Sequence, residues 1–103
     1  MGQIRFDLDP SMMPNPDLDI RYDLPDALAA IPETSIKYNG YDYSDREPPL
    51  LMVYVLSDDT ESDLKLSIDY LREHLMFDNN VLDAATIHIS SDGENWSQAF
   101  PAT

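Results

Sequence analysis

At 103 residues, with twenty Asp and Glu against six Lys and Arg, the chain carries a formal net charge of -14 and a pI near 4.1. Such a surface repels anionic membranes and nucleic-acid backbones. Solubility of a small domain needs a net charge of only about 2–8 in magnitude, so the excess points to a cationic partner.

An apolar content of 43% supports a packed core rather than disorder, and the absence of cysteine excludes disulfides, thiolate metal sites and thiol nucleophiles. Met1–Asp9 shows no signal peptide. The longest apolar run, Leu50–Leu56, is far short of the roughly 20 residues that span a bilayer. A single cytoplasmic domain over 1–103 is expected.

Gln3–Asp9 alternates, with Ile4, Phe6 and Leu8 on one face and Arg5, Asp7 and Asp9 on the other, which predicts a half-buried strand. Residues 10–16 hold Pro10, Pro14 and Pro16 and predict a loop. Alternation then resumes, with Leu18, Ile20, Tyr22 and Leu24 inward and Asp17, Asp19, Arg21 and Asp23 outward, the pattern of a second strand. Pro25–Ile31 predicts a short helix stopped by Pro32. Thr34–Tyr38 and Tyr41–Ser44 flank Asn39-Gly40, a strong hairpin signal because a type I′ turn needs positive φ at both residues.

Residues 45–49 form a second Pro-rich, charged loop. Leu50–Leu56 is nearly unbroken apolar and predicts a central strand covered on both faces. Leu64, Ile68, Leu71 and Leu75 recur at helical spacing, which predicts a helix over about 60–76, capped by Ser57 or Thr60 and ended by Asp78-Asn79-Asn80. Thr86–Ser90, a turn at Ser91–Asn95, a closing strand at Trp96–Phe100 and a loose end at 101–103 complete the chain. This order predicts an α+β domain: a mixed or largely antiparallel sheet of about five to six strands with the long helix packed on one face. If the strands at 50–56 and 86–90 are parallel in one sheet, the helix between them is a crossover.

Ser90-Ser91-Asp92-Gly93-Glu94-Asn95-Trp96 resembles the Asp-box turn of sialidase-type propeller repeats, where Asp and Trp lock a hairpin; the resemblance implies a folding role. Asp7-Leu8-Asp9 looks like the acidic pair of some nucleotide-sugar enzymes, but strand alternation accounts for it and such a fold does not fit this length. The acids Asp58, Asp59, Glu61 and Asp63 crowd a helix start, where the helix dipole favours them. They lack the alternating ligands, central Gly and terminal Glu of a calcium loop, so no metal is expected. His74 and His88 lie on different elements, with no nucleophile elbow or phosphate loop beside them, and neither a catalytic role nor a cofactor is expected.

Tyr38, Tyr41 and Tyr43 surround the predicted turn, with Asp42, Asp45 and Glu47 beside them and Tyr22 and Tyr54 as further neighbours. Tyr is enriched at interface hot spots, and desolvated carboxylates paired with Arg or Lys contribute strongly to binding. Together with Asp58, Asp59, Glu61 and Asp63 these are the candidate partner-binding residues. At the level of class, this joint placement of Tyr and carboxylate at Tyr38–Glu47 and Asp58–Asp63 resembles the small acidic immunity proteins of bacterial toxin–immunity pairs. The resemblance implies a non-enzymatic inhibitor that occludes the positive active site of a basic, nuclease-like toxin.

Two other readings stand beside it. Asp7, Asp9, Asp17, Asp19 and Asp23 on neighbouring outward strand faces would imitate a phosphate backbone, interrupted by Arg5 and Arg21, and block DNA-binding proteins. A small structural or accessory subunit would need an exposed apolar patch, which the alternating strands do not offer.

Overall fold

The computed structural model describes residues 2–101. Five strands are present: β1 (Gly2–Leu8), β2 (Lys37–Tyr43), β3 (Leu51–Ser57), β4 (Ala85–Ser90) and β5 (Ser97–Phe100). They form one sheet in the order β2-β3-β1-β4-β5, with every neighbouring pair antiparallel. Three α-helices, α1 (Ile20–Ala29), α2 (Thr60–Glu73) and the one-turn α3 (Val81–Ala84), and a 3-10 turn at Pro10–Met12 within the first Pro-rich loop are present among the described residues. The fold is α+β.

The alternation of β1 organises the molecule. Ile4, Phe6 and Leu8 have no solvent exposure and meet Ile20, Leu24 and Leu28 of α1, Leu71 of α2 and Val81 of α3 in one core. Each such fully buried side chain contributes about 1.5–3 kcal/mol over its exposed state. Gln3, Arg5 and Asp7 point to the other face, beside Tyr54 and Met52 of β3 and Thr86 and His88 of β4. β3 alternates too: Leu51, Val53, Val55 and Ser57 are buried, whereas Met52, Tyr54 and Leu56 are half-buried, so its second face is not covered as the apolar run suggests. β3 and β4 both oppose β1 and therefore run parallel with β1 between them, and α2 lies in the connection that crosses β1.

The second strand expected at 17–24 is instead the start of α1. Leu18, Ile20, Tyr22 and Leu24 satisfy a period of two, but Ile20, Leu24 and Leu28 also recur every four residues, and these are buried whereas Leu18 and Tyr22 are exposed. A carboxylate of Asp17 accepts the Asp19 N–H at 2.9 Å and turns the chain into the helix. Pro25, which suits a first helical position, sits inside α1 and is buried there. The row of carboxylates that would imitate a phosphate backbone is thereby lost. Asp7 is bound to Arg5, Asp9 to Arg46, and Asp17, Asp19 and Asp23 belong to a turn and a helix rather than a neighbouring strand.

The expected hairpin at Asn39-Gly40 is also absent, because Tyr38 and Tyr41 both pair with β3. Between the pairs Tyr38–Val55 and Tyr41–Val53, two residues, Asn39 and Gly40, oppose the single Tyr54, so Asn39-Gly40 forms a bulge, with Gly40 at a φ of 96°. Pairing with the seven-residue β3 satisfies more backbone groups than two short arms pairing with each other. α2 ends at Glu73 rather than near residue 76. Met76 and Asn79 then exchange backbone hydrogen bonds at 2.9 Å around Phe77 and Asp78, both at positive φ. Its cap is Asp59, whose carboxylate accepts the Ser62 N–H at 3.1 Å, rather than Ser57 or Thr60.

The turn at 91–95 is closed by Asp92. Its carboxylate accepts the backbone N–H of Asn95 (2.9 Å) and Glu94 (2.8 Å), the Asn95 side-chain amide (2.8 Å) and the Ser90 hydroxyl (2.9 Å). These donors, the backbone N–H groups first, hold it well below the ordinary carboxylate range. Gly93 lies at a φ of 79°, and a Cβ there would sit 2.6 Å from the Gln3 amide nitrogen. Of the expected loose end, Pro101 accepts a hydrogen bond from Gln98 at 3.0 Å; residues 102 and 103 lie outside the described residues.

Candidate protein-binding face

The bulge in β2 decides where the tyrosines point. Residues three apart in a regular strand face opposite sides. The extra residue at Asn39-Gly40 returns Tyr41 to the side of Tyr38, and Tyr43 follows two residues on. Helix α1 packs beside this strand and brings Tyr22 to the same surface. The rings form an edge-to-face chain: Tyr22–Tyr38 and Tyr22–Tyr41 at 6.0 Å between centroids, and Tyr41–Tyr43 at 5.9 Å. All four remain between 39% and 43% exposed. The Arg21 guanidinium lies over Tyr22 (4.6 Å) and Tyr41 (5.2 Å), and its presence lowers the Tyr22 phenol below its ordinary value. Because β2 is a sheet edge, the cluster stands at a border of the fold, open to a partner.

The candidate carboxylates divide. Asp42, Asp45 and Glu47 are exposed on or just after β2, although Asp42 also accepts the Tyr43 N–H at 2.8 Å. Asp58, Asp59 and Glu61 are exposed at the start of α2. They are joined to the approach to β2 through Ser35, whose hydroxyl accepts the Asp58 N–H at 2.9 Å. Asp63 does not belong with them. It is 2% exposed, and its carboxylate accepts the hydroxyls of Ser35 and Ser57, each at 2.6 Å, and the Ser35 N–H at 3.3 Å. It ties three segments together and offers nothing to a partner. Helical spacing signals this: Asp63 is four residues before Ser67, which is also fully buried on the inner side of α2.

Among the described residues, few of the acids are neutralised by neighbours. Asp7, Asp9 and Asp69 pair with Arg5, Arg46 and Lys65 at 2.8, 2.7 and 3.0 Å. Among the described residues no cluster of His, Asp and Glu is arranged to hold a metal ion, and no helix is long and apolar enough to cross a membrane.

Tyr54 lies away from the tyrosine cluster, on the helix-free face of the sheet, against Trp96 (5.9 Å), which in turn covers Arg5 (4.9 Å). Arg5 binds both oxygens of Asp7, and His88 Nδ1 stands 3.3 Å from the same carboxylate. Burial lowers the His88 pKa; Asp7 acts against that shift and Arg5 with it. His74, at the C-terminal end of α2, is instead stacked on Tyr70 at 4.0 Å.

Reading strands alone could not show a second surface feature. The two Pro-rich loops, 10–16 and 45–49, meet at the end of the sheet and enclose an apolar cleft of about 260 Å³. Its walls include Pro10, Met13, Leu18, Tyr43, Pro48 and Pro49. Leu18 is 54% exposed at this cleft, and Tyr43 belongs to both the cleft and the aromatic cluster. An exposed apolar surface therefore exists where alternating strands promised none. No protein-family model, curated protein or solved structure matches the chain.

Proposed function

We propose that the chain is a non-enzymatic acidic inhibitor that binds a basic protein through the Tyr22–Tyr38–Tyr41–Tyr43 face and covers that partner's positive active site. An immunity protein directed against a nuclease-like toxin is the form this takes. The observation that carries the reading is the continuous chain of half-exposed tyrosine rings on the border of a molecule with net charge -14. Solubility does not require four large aromatic side chains in water, and Tyr supplies rigid contact area at low entropic cost. Asp45 and Glu47, which follow the face, and Asp42, which projects from the opposite side of β2, have no cationic partner among the described residues. They would steer a cationic protein, and those at the contact would accept its Arg and Lys side chains.

The test is co-expression with the basic product of a neighbouring gene, followed by binding kinetics. Relief of that protein's toxicity is expected, with association approaching about 10⁸ M⁻¹s⁻¹ at low salt. Asp42→Asn, Asp45→Asn and Glu47→Gln together should slow association and flatten its salt dependence, and Tyr41→Ala should speed dissociation. Association that ignores both sets of changes would remove this face as the interface.

The exposed rings and the adjoining apolar cleft also support a second reading, an accessory subunit of a larger assembly. That reading predicts a complex whose formation is insensitive to salt.

A further inference from the structure

We infer that the cleft between the two Pro-rich loops is an anchor pocket for one apolar side chain of a basic protein segment, that is, a leucine-like residue flanked by Lys or Arg. The inference rests on the proposed function and specifies the partner's chemistry at one place. Three observations support it.

The first is size and lining. At about 260 Å³ the cleft falls below the roughly 300–1,000 Å³ of small-molecule sites, and its walls are almost entirely apolar, which suits a single side chain.

The second is construction. Both loops are held in place by hydrogen bonds within the chain. Asn79 is fully buried, and its side chain binds the Asn15 backbone twice, accepting its N–H at 2.9 Å and donating to its carbonyl at 2.6 Å. The Asn15 amide binds the Phe77 carbonyl at 3.1 Å. In the other loop, Ser44 and Leu50 close the base through Leu50 N–H to the Ser44 hydroxyl at 2.8 Å and Ser44 N–H to the Leu50 carbonyl at 3.0 Å. Arg46 then links the loops through Asp9 at 2.7 Å. Prolines in the walls have little backbone freedom to lose, so the pocket is formed before binding.

The third is charge. Asp17 lines the cleft, and the loop that supplies Pro48 and Pro49 carries exposed Asp45 and Glu47. The one cation of that loop, Arg46, is committed to Asp9 and to the Pro48 carbonyl at 3.0 Å. An apolar group therefore enters past carboxylates, which favours one carried between cations and disfavours one carried between acids. Continuity through Tyr43 places the pocket beside the tyrosine face, so one partner surface can reach both.

The experiment is NMR titration of the isotope-labelled whole chain with three peptide amides: Lys-Arg-Leu-Arg-Lys, Lys-Arg-Ser-Arg-Lys and Glu-Glu-Leu-Glu-Glu. The basic leucine peptide should shift the backbone signals of Met13, Leu18, Tyr43 and Leu51. The serine peptide should bind about tenfold more weakly, the loss expected for one buried apolar side chain. The acidic peptide should not bind. Leu18→Ser, at a position exposed enough to leave the fold intact, should bring the leucine peptide down to the serine peptide's affinity.

Equal binding of the two basic peptides, or shifts centred on Tyr22, Tyr38 and Tyr41, would overturn the pocket while leaving the acidic face as the binding surface. Equal binding of the acidic and basic leucine peptides would overturn both readings, since charge would then play no part. Absence of binding by any peptide at about 1 mM would overturn the pocket.

Discussion

Removing the Asp63 carboxylate tests whether it is a structural clasp rather than a contact residue. In Asp63→Ala, the Ser35 and Ser57 hydroxyls and the Ser35 N–H lose their acceptor. Hydrogen bonds to a charged group contribute about 1.5–3 kcal/mol each, and a buried donor left without a partner costs about 1–3 kcal/mol. Opposing this, no Lys or Arg among the described residues pairs with Asp63, so its removal recovers a desolvation penalty of several kcal/mol. Ser35 is only half-buried and regains water.

The net expectation for Asp63→Ala is a loss of about 2–4 kcal/mol, a large share of the roughly 5–15 kcal/mol that holds a domain together. Asp63→Asn should lose less, about 1 kcal/mol, because each serine oxygen accepts one backbone N–H and has a second lone pair for the new amide. Urea unfolding followed by Trp96 fluorescence reads both, as a lowered midpoint with an unchanged slope. A cost below about 1 kcal/mol for Asp63→Ala, or a larger cost for Asn than for Ala, would refute the clasp.

Four further outcomes are expected. Asn79→Ala should destabilise by about 2 kcal/mol and raise hydrogen exchange at the Asn15 amide, which loses its acceptor; unchanged exchange there would show that the loop is held by other means. Asp92 has a folded pKa below its ordinary value of 3.8, so its contribution is present above about pH 4 and is lost as pH falls through that range. Asp92→Asn should therefore flatten the acid limb of the stability curve, and an acid limb as steep as in the parent would count against the turn's role. Gly93→Ala should cost about 1–3 kcal/mol through positive φ and collision with Gln3. His88 has a folded pKa below 6.5, so the unfolded chain takes up the proton first and stability declines as pH falls below about 6.5. An NMR titration of its imidazole with a midpoint at or above 6.5 would contradict the burial argument.

The strands at Gln3–Asp9 and Leu50–Leu56, the helix begun by the acids at 58–63 and the closing turn at Ser91–Asn95 were legible because each answers to local rules. Alternation, helical spacing and a self-bonded Asp turn need no distant partner. Residues 17–24 were not legible, because their apolar positions satisfy two periods at once and only contact with the core selects the helical one. Asn39-Gly40 supplies a positive φ wherever it stands; whether that becomes a hairpin or a bulge depends on whether β3 is there to pair with both sides.

The candidate site divides in the same way. Composition dictated an acidic surface and the residue order placed tyrosines near residue 40, and Tyr38, Tyr41 and Tyr43 do gather there. The burial of Asp63, the arrival of Tyr22 and Arg21 from α1 and the meeting of the two Pro-rich loops depend on residues tens of positions apart. The sequence by itself therefore determined the charge and the strand and helix forms with strong local signals. Tertiary structure decided which carboxylates face water and which rings share a surface, because burial and facing are set by packing against distant segments rather than by neighbours along the chain.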